Sequence, residues 1–193
     1  DRWGLFPSVA LAWKLKEESF LKNVTAVSDL KLRLGWGITG QQDLNNGDYP
    51  YLARYTYSKS GANYFFGNNK YSLVRPEAYD EHLKWEKTTT WNAGLDYGLI
   101  NNRLTGTLDF YYRETKDLLN RVPIPGGSNY NNELLTNVGS LVNKGVEFTL
   151  TARPIVSKDW NWEVNYNVSY NKNKITKLTF NDDPSYQGVI HGG

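Results

Sequence analysis

The sequence predicts an all-β fold, an antiparallel meander of about six strands. Apolar and polar residues alternate with a period of two in well-bounded runs, and helical periodicity is nearly absent. Tight turns alternate with long polar connections between these runs. Aromatic residues make up 15% of the 193 residues, and on the apolar faces they concentrate towards the strand ends.

The composition excludes several classes of site. The chain has no cysteine, which excludes disulfides, thiolate metal sites and a cysteine nucleophile. His82 and His191 are too few for a histidine-rich metal site, and we expect neither a metal nor a cofactor. The net charge is +2, and no basic run is long enough to follow a phosphate backbone, so we expect no nucleic-acid partner. No stretch approaches the roughly 20 apolar residues of a membrane helix.

Two predicted strands precede the first long connection, at residues 8–15 and 30–39. The apolar face of the first carries Val9, Leu11, Trp13 and Leu15. The apolar face of the second carries Leu30, Leu32, Leu34, Trp36 and Ile38. Its opposite face carries Lys31, Arg33, Gly35, Gly37 and Thr39. The connection between them, residues 16–29, has room for one or two amphipathic helical turns.

The third and fourth predicted strands, residues 85–99 and 104–113, form a hairpin with a tight turn through Asn101 and Asn102. Facing residues in an antiparallel pair have a constant index sum, which sets the register. The predicted pairs are Leu99 with Leu104, Tyr97 with Gly106, Leu95 with Leu108 and Ala93 with Phe110. Large residues then meet small ones, and an aromatic ring covers a strand glycine.

The last two predicted strands are residues 145–152 and 160–171, joined by a short turn. The first has an apolar face of Val146, Phe148, Leu150 and Ala152. The second has an apolar face of Trp160, Trp162, Val164, Tyr166, Val168 and Tyr170. Long loops rich in Gly, Asn and Tyr are expected near residues 41–84, 118–144 and 172–193.

Three features favour a transmembrane outer-membrane β-barrel over a soluble sheet. The short and long connections alternate as periplasmic turns and extracellular loops do in such barrels. Trp and Tyr lie towards the strand ends on the apolar face, as in interfacial girdles. The opposite face is polar in all six strands, and such a face cannot be buried dry without unpaired polar groups. The alternative is a soluble antiparallel sheet with one solvated face.

The barrel hypothesis assigns an environment to each face. The residues predicted to line the lumen are Arg33, Asn92, Asp96, Asp109, Tyr111, Arg113, Glu147 and Glu163. The residues predicted to face lipid are Leu34, Trp91, Leu95, Leu108, Phe110, Phe148 and Val164.

No constellation of residues predicts catalysis. A glycosidase needs two carboxylates at a defined separation across a cleft. The carboxylates here fall among basic residues on the polar face, where solvated or salt-bridged side chains are the simpler interpretation. Neither histidine lies near a recognisable nucleophile turn. We therefore expect no enzyme activity.

Six collinear runs resemble the SusC/RagA family of TonB-linked outer-membrane proteins. They are Asp1–Trp13 (DRWGLFPSVALAW), Leu30–Gln42 (LKLRLGWGITGQQ), Leu83–Gly98 (LKWEKTTTWNAGLDYG), Arg103–Leu119, Val122–Gly126 and Asn137–Phe148 (NVGSLVNKGVEF). The similarity extends to about Asn173, and residues 1–193 are interpreted as a partial TonB-dependent receptor β-barrel domain.

The resemblance implies a fold and partners that the residue pattern does not. It implies a barrel of about 22 strands around an N-terminal plug, with this chain in its C-terminal half. It implies a SusD-like surface lipoprotein and import of oligosaccharides or peptides, driven by TonB through an N-terminal segment not present here. It also implies the outer membrane of Gram-negative Bacteroidetes. The plug and the closing strands are expected to lie outside this chain.

The first long loop is the best candidate for ligand contact. Aromatic rings offer apolar faces and amides offer hydrogen bonds, which suits sugars or peptides. The candidate rings are Tyr49, Tyr51, Tyr55, Tyr57, Tyr64, Phe65, Phe66 and Tyr71, with Tyr130 in the second long loop. The alternative is that these rings pack the loop on itself or against the partner lipoprotein. The alternative function is a soluble all-β glycan-binding or adhesion module that uses the same loops.

Overall fold

A six-stranded antiparallel sheet organises the chain in the computed structural model, which describes residues 3–41, 49, 51–57, 63–124 and 133–177. The strands are β1 (Ser8–Lys14), β2 (Val27–Gln41), β3 (Tyr55–Tyr57), β4 (Asn63–Phe66), β5 (Asn69–Ser72), β6 (Val74–Pro76), β7 (Glu86–Leu99), β8 (Leu104–Lys116), β9 (Leu119–Pro123), β10 (Glu133–Asn137), β11 (Ser140–Val156) and β12 (Asn161–Lys177). The sheet order is β1-β2-β7-β8-β11-β12, and every neighbouring pair is antiparallel. The predicted meander is therefore confirmed.

Short elements fill the connections. A 3₁₀ turn (Leu15–Glu17) and α1 (Ser19–Lys22) lie between β1 and β2, where one or two helical turns were expected. The first long loop contains two small hairpins, β3–β6 and β4–β5, and the second contains the hairpin β9–β10.

The main strands differ in length from the ranges that alternation predicts. β2 starts at Val27 and ends at Gln41, and β8 continues to Lys116. β11 covers Ser140–Val156, and β12 continues to Lys177, so residues 172–177 belong to a strand and not to a loop. Apolar and polar residues no longer alternate regularly beyond the aromatic rows; residues 172–177, for example, read Lys-Asn-Lys-Ile-Thr-Lys. The backbone ladder continues regardless, with Ser140 still opposite Lys116.

The register of the β7–β8 hairpin is the predicted one in all four pairs, from Leu99 with Leu104 to Ala93 with Phe110. Its turn places Ile100, Asn101 and Asn102 at φ values of 52°, 53° and 58°. Asparagine tolerates this left-handed region, whereas a β-branched isoleucine is strained in it. Neighbouring backbone holds the turn, since the Ile100 N–H donates to the Ala26 carbonyl at 3.0 Å.

The sheet has two faces of opposite character. One cross-strand row on the apolar face consists of Trp13, Leu32, Leu95, Leu108, Phe148 and Val168. The next residue along each strand lies on the polar face. Within the described residues Val138 is the one buried apolar side chain, at 4% exposure. That part of the chain therefore places no second layer over the apolar face.

Candidate functional site

The polar face is centred on Arg33, which bridges carboxylates from two other strands. Its Nη2 lies 2.7 Å from Asp96 Oδ1 and 2.8 Å from Asp109 Oδ1, and its Nε donates to Asp96 at 2.9 Å. Lys31 Nζ approaches the other Asp96 oxygen at 3.3 Å. Strands β2, β7 and β8 are thus joined by one charge network on a half-exposed surface.

Gly94 makes this bridge possible. It lies directly between Arg33 on β2 and Asp109 on β8 in the cross-strand row. A Cβ at Gly94 would meet the Asp109 carboxylate and would lie 2.7 Å from Arg33 Nη2. The guanidinium therefore crosses β7 through the space that a side chain would occupy.

The remaining predicted lumen residues lie on the same face. Arg113 stacks over the Tyr111 ring at 5.1 Å, and that ring lies against Gly145 on β11. Glu163 accepts from Arg153 Nε at 2.8 Å. Asn92 and Glu147 occupy positions of the same face in the register. The residues predicted to line the lumen therefore share one face of the sheet, and their contacts link them in small local groups.

The predicted lipid-facing residues lie together on the opposite face. Trp36 and Trp91 pack at 5.9 Å between ring centroids, and Tyr97 stacks on Phe148 at 6.4 Å. Tyr97 also covers Gly106, as predicted, and its hydroxyl donates to the Thr149 carbonyl at 3.1 Å. The others are Leu34, Leu95, Leu108, Phe110 and Val164.

The first long loop projects as two small hairpins that carry most of the candidate rings; we call residues 51–57 and 63–76 the loop arm. Tyr64 faces Tyr71 across β4–β5, and Tyr55 faces Pro76 across β3–β6. The rings of Tyr49, Tyr55, Tyr57, Tyr64, Phe65, Phe66 and Tyr71 are 54–79% exposed, whereas Tyr51 is half-buried. Tyr49 and Tyr51 meet edge to face at 6.3 Å. Tyr130 lies outside the described residues.

Hydrogen bonds tie the bases of the two long loops together; we call this group the loop-base clamp. Asn137 Oδ1 accepts from the Lys84 N–H at 2.6 Å, and its Nδ2 donates to the carbonyls of Lys84 at 2.9 Å and Asp117 at 2.8 Å. Thr136, 2% exposed, donates to Asp80 at 2.6 Å. Glu86 accepts from the Leu119 N–H at 2.8 Å.

Sequence reasoning did not single out the loop-base clamp. Asn137 lies 53 residues from Lys84 along the chain, and Thr136 lies 56 residues from Asp80. No local sequence pattern therefore joins these partners. The available signal was Asn137, at the start of the run that resembles the SusC/RagA family. Beside the clamp lies an open pocket of about 500 Å³ lined by Tyr79, Asp80, Glu81, His82, Leu134 and Thr136.

Two further observations concern the described residues alone. No helix among them has the length and apolar character needed to cross a bilayer. No group of three or more metal-binding side chains is assembled in that part of the chain.

An antiparallel meander with one apolar and one polar face has the pattern of a transmembrane β-barrel wall. Residues 1–190 match the family model described as TonB dependent receptor-like, beta-barrel, and the chain belongs to this family. The family implies the outer membrane, and the relatives described next are TonB-dependent receptors rather than enzymes.

Similar proteins place the chain within that family. It is 57% identical to the TonB-dependent receptor SusC of Bacteroides thetaiotaomicron over 186 residues, 96% of this chain and 18% of SusC. It is 35% identical to the TonB-dependent receptor P39 of Formosa agariphila over 180 residues, 93% of this chain and 16% of P39. The RagAB peptide transporter matches with a TM-score of 0.76 and 34% identity, over 91% of this chain and 18% of the matched chain. The SusC/RagA resemblance is confirmed, and the chain spans 16–18% of these relatives.

Proposed function

We propose that this chain forms part of the wall of a TonB-dependent outer-membrane transporter, with its apolar face towards lipid and its polar face towards the lumen. The observation that carries the proposal is 57% identity to SusC over 96% of the chain. TonB would act through a part of the protein beyond this chain. The relatives in Bacteroides and Formosa support the outer membrane of Gram-negative Bacteroidetes as the location.

The height of the apolar face supports this orientation. Leu99 and Trp91 mark its two ends on β7, eight positions apart, which is about 26 Å along a strand. A strand tilted by about 40° would convert this length to about 20 Å of membrane thickness, close to the apolar band of about 25 Å in such barrels. The Trp36–Trp91 pair then lies at the interface on the long-loop side.

We propose that the cargo is an oligosaccharide, contacted on entry by the loop arm. Its exposed rings and neighbouring amides offer the apolar faces and hydrogen bonds that sugars use. A peptide cargo is the second candidate, favoured by the 34% identity to the RagAB peptide transporter. We propose a SusD-like surface lipoprotein as the partner that closes over these loops.

The class of function is tested with the full-length protein. We expect it to require detergent for extraction and to show heat-modifiable gel mobility, as closed membrane barrels do. A full-length protein that stays soluble and monodisperse without detergent would instead support the glycan-binding or adhesion module.

The cargo is tested by uptake in cells that carry the full-length transporter with the triple change Tyr57→Ala, Phe65→Ala and Phe66→Ala. Each ring contributes about 0.5–1.5 kcal/mol of binding free energy, so the triple change should weaken binding of the true cargo about tenfold or more. Uptake of that cargo at low concentration should fall accordingly. Labelled oligosaccharide and labelled peptide are compared. The control is Phe20→Ala, a ring of 63% exposure on the short-connection side. Uptake of neither cargo, or uptake without TonB, would contradict the proposal.

A further inference from the structure

Lysines cluster on the apolar face just beyond its aromatic row. Trp36, Trp91 and Tyr112 lie in one cross-strand row that continues to Lys144 on β11 and Lys172 on β12. Lys174 lies two residues farther along β12, and Lys87 and Lys116 lie four residues farther along β7 and β8. We call Lys87, Lys116, Lys144, Lys172 and Lys174 the lysine patch.

The register places like charges directly opposite each other in the lysine patch. Lys144 pairs with Lys172, and Lys87 pairs with Lys116. Facing residues of adjacent strands are about 5 Å apart, and directly opposed like charges destabilise a sheet. Two such pairs within one small area repel each other, and an anion between or above them would relieve that repulsion.

Among the residues that the structure describes, acidic side chains do not neutralise the lysine patch. Glu114 is the one carboxylate on this face among these rows, and it pairs with Lys116 at 3.3 Å. Within the described residues the other four lysines form no ion pair or side-chain hydrogen bond, and all five lysines are exposed. The patch therefore keeps a net charge of about +4 when Glu114 is counted.

The position of the lysine patch indicates the kind of anion. It continues the apolar face, where Val146, Phe110 and Tyr170 lie directly below Lys144 and Lys172. From the aromatic row the patch extends about 13 Å along the strands, into the depth of lipid headgroups. A lysine stem can lie along apolar surface while its ammonium reaches the polar layer. A ligand that covers both surfaces needs phosphate groups beside the lysine patch and acyl chains against the apolar face next to it.

We propose that the lysine patch binds the phosphate groups of an anionic membrane lipid, whose acyl chains cover the apolar face below it. This inference rests on the proposed orientation of that face towards lipid. The ammonium groups bind phosphate as point charges, and the lipid relieves the repulsion within each opposed pair. The site is on the other face of the sheet from the Arg33 network, so it is separate from the path of the cargo.

The test uses the full-length receptor in phosphatidylcholine nanodiscs, with or without a minor fraction of diphosphoryl lipid A. The variants are Lys144→Gln/Lys172→Gln and Lys87→Gln/Lys116→Gln. A matched control, Lys22→Gln/Lys158→Gln, makes the same charge change in the short connections. Lys144→Arg/Lys172→Arg retains the charge and should behave as the wild type. The readouts are Tm and the lipid A retained after washing.

The Gln substitutions should change Tm in opposite directions in the two kinds of nanodisc. In phosphatidylcholine alone the Gln variants should raise Tm, because repulsion is removed. With lipid A they should lower Tm relative to the wild type and weaken retention about fivefold for each lysine removed. Dephosphorylated lipid A and free inorganic phosphate should each fail to raise the Tm of the wild type.

Three other results would each overturn the proposal. Equal retention by the wild type and both Gln variants would remove the lysine patch as a lipid site. A full Tm increase with inorganic phosphate would make it a site for free phosphate. Loss of lipid A in the Lys22/Lys158 control would indicate a general charge effect. The orientation itself is tested separately by Leu95→Arg, described below, so failure of the patch and failure of the orientation are distinguishable.

Discussion

At the scale of single residues, the polar face depends on a glycine as much as on its charges. Sequence alternation was enough to place Arg33, Asp96 and Asp109 on one face. It did not show that Arg33 reaches β8, because this depends on the β2–β7 register and on the space above Gly94. That register is set across the first long loop, where no turn rule applies.

Gly94→Ala should destabilise the full-length barrel by about 1–3 kcal/mol, because the new methyl group overlaps the guanidinium and the Asp109 carboxylate. The measurement is urea unfolding in lipid. Gly35→Ala is the matched control, since its Cβ would find Asn92 no closer than 3.8 Å. An equal effect of the two changes would show that the bridge across Gly94 does not matter.

Arg33→Gln should cost on the order of 1 kcal/mol, since Arg33 and both carboxylates are partly exposed and solvent weakens the pairs. Asp109→Asn should cost less on the Arg33→Gln background than on its own. The double-mutant cycle gives the coupling between the two side chains. Additive effects would mean that the 2.8 Å contact contributes nothing to stability.

At the scale of elements, hairpins with tight turns were predictable and long-loop contacts were not. The β7–β8 register followed from one turn and one index sum. The hairpins β3–β6, β4–β5 and β9–β10 lie inside loops that the sequence marks only as polar and aromatic. The hairpin β9–β10 is offset from β8 and β11 by Asp117 at φ 57° and Gly139 at φ 120°, backbone values that alternation does not indicate.

Asn137→Ala should loosen the loop-base clamp, because three hydrogen bonds to backbone groups are lost together. We expect amide exchange at residues 79–86 to accelerate at least about tenfold, with a loss of roughly 1–3 kcal/mol. Hydrogen–deuterium exchange with mass spectrometry measures this. Asn120→Ala is the control in the same hairpin, since within the described ranges its side chain bonds only the adjacent Arg121 N–H. Unchanged exchange at residues 79–86 in Asn137→Ala would contradict the clamp.

At the scale of the whole molecule, the two faces of the sheet set its environment. The pattern of apolar and polar positions was readable from sequence because the side-chain period of a strand is fixed. The expected barrel size, plug and partners do not follow from the pattern and rest on family resemblance alone. Alternation does not reveal the lysine patch, because Lys87 interrupts the apolar face of its strand and residues 172–177 have the polar composition expected of a loop.

Leu95→Arg should cost about 2–4 kcal/mol in lipid, since Leu95 and its partner Leu108 lie near the middle of the apolar face. Refolding of the full-length barrel in lipid vesicles measures the change. Asn92→Arg, three residues away on the polar face of the same strand, is the control and should change stability by far less. If the two substitutions cost the same, the orientation proposed for the sheet is wrong.

The turn at residues 100–103 is hydrogen-bonded to neighbouring segments of the sheet as well as within itself. Ile100 donates to Ala26, Asn102 donates to the Ser28 hydroxyl at 3.2 Å, and Arg153 donates to Arg103 at 2.7 Å. These bonds link the turn to Ala26 just before β2, to Ser28 on β2 and to Arg153 on β11, so the hairpin cannot detach along this rim without several bonds breaking at once. The amides of Ile100 and Asn102 should consequently exchange slowly with solvent although the turn lies at the edge of the sheet.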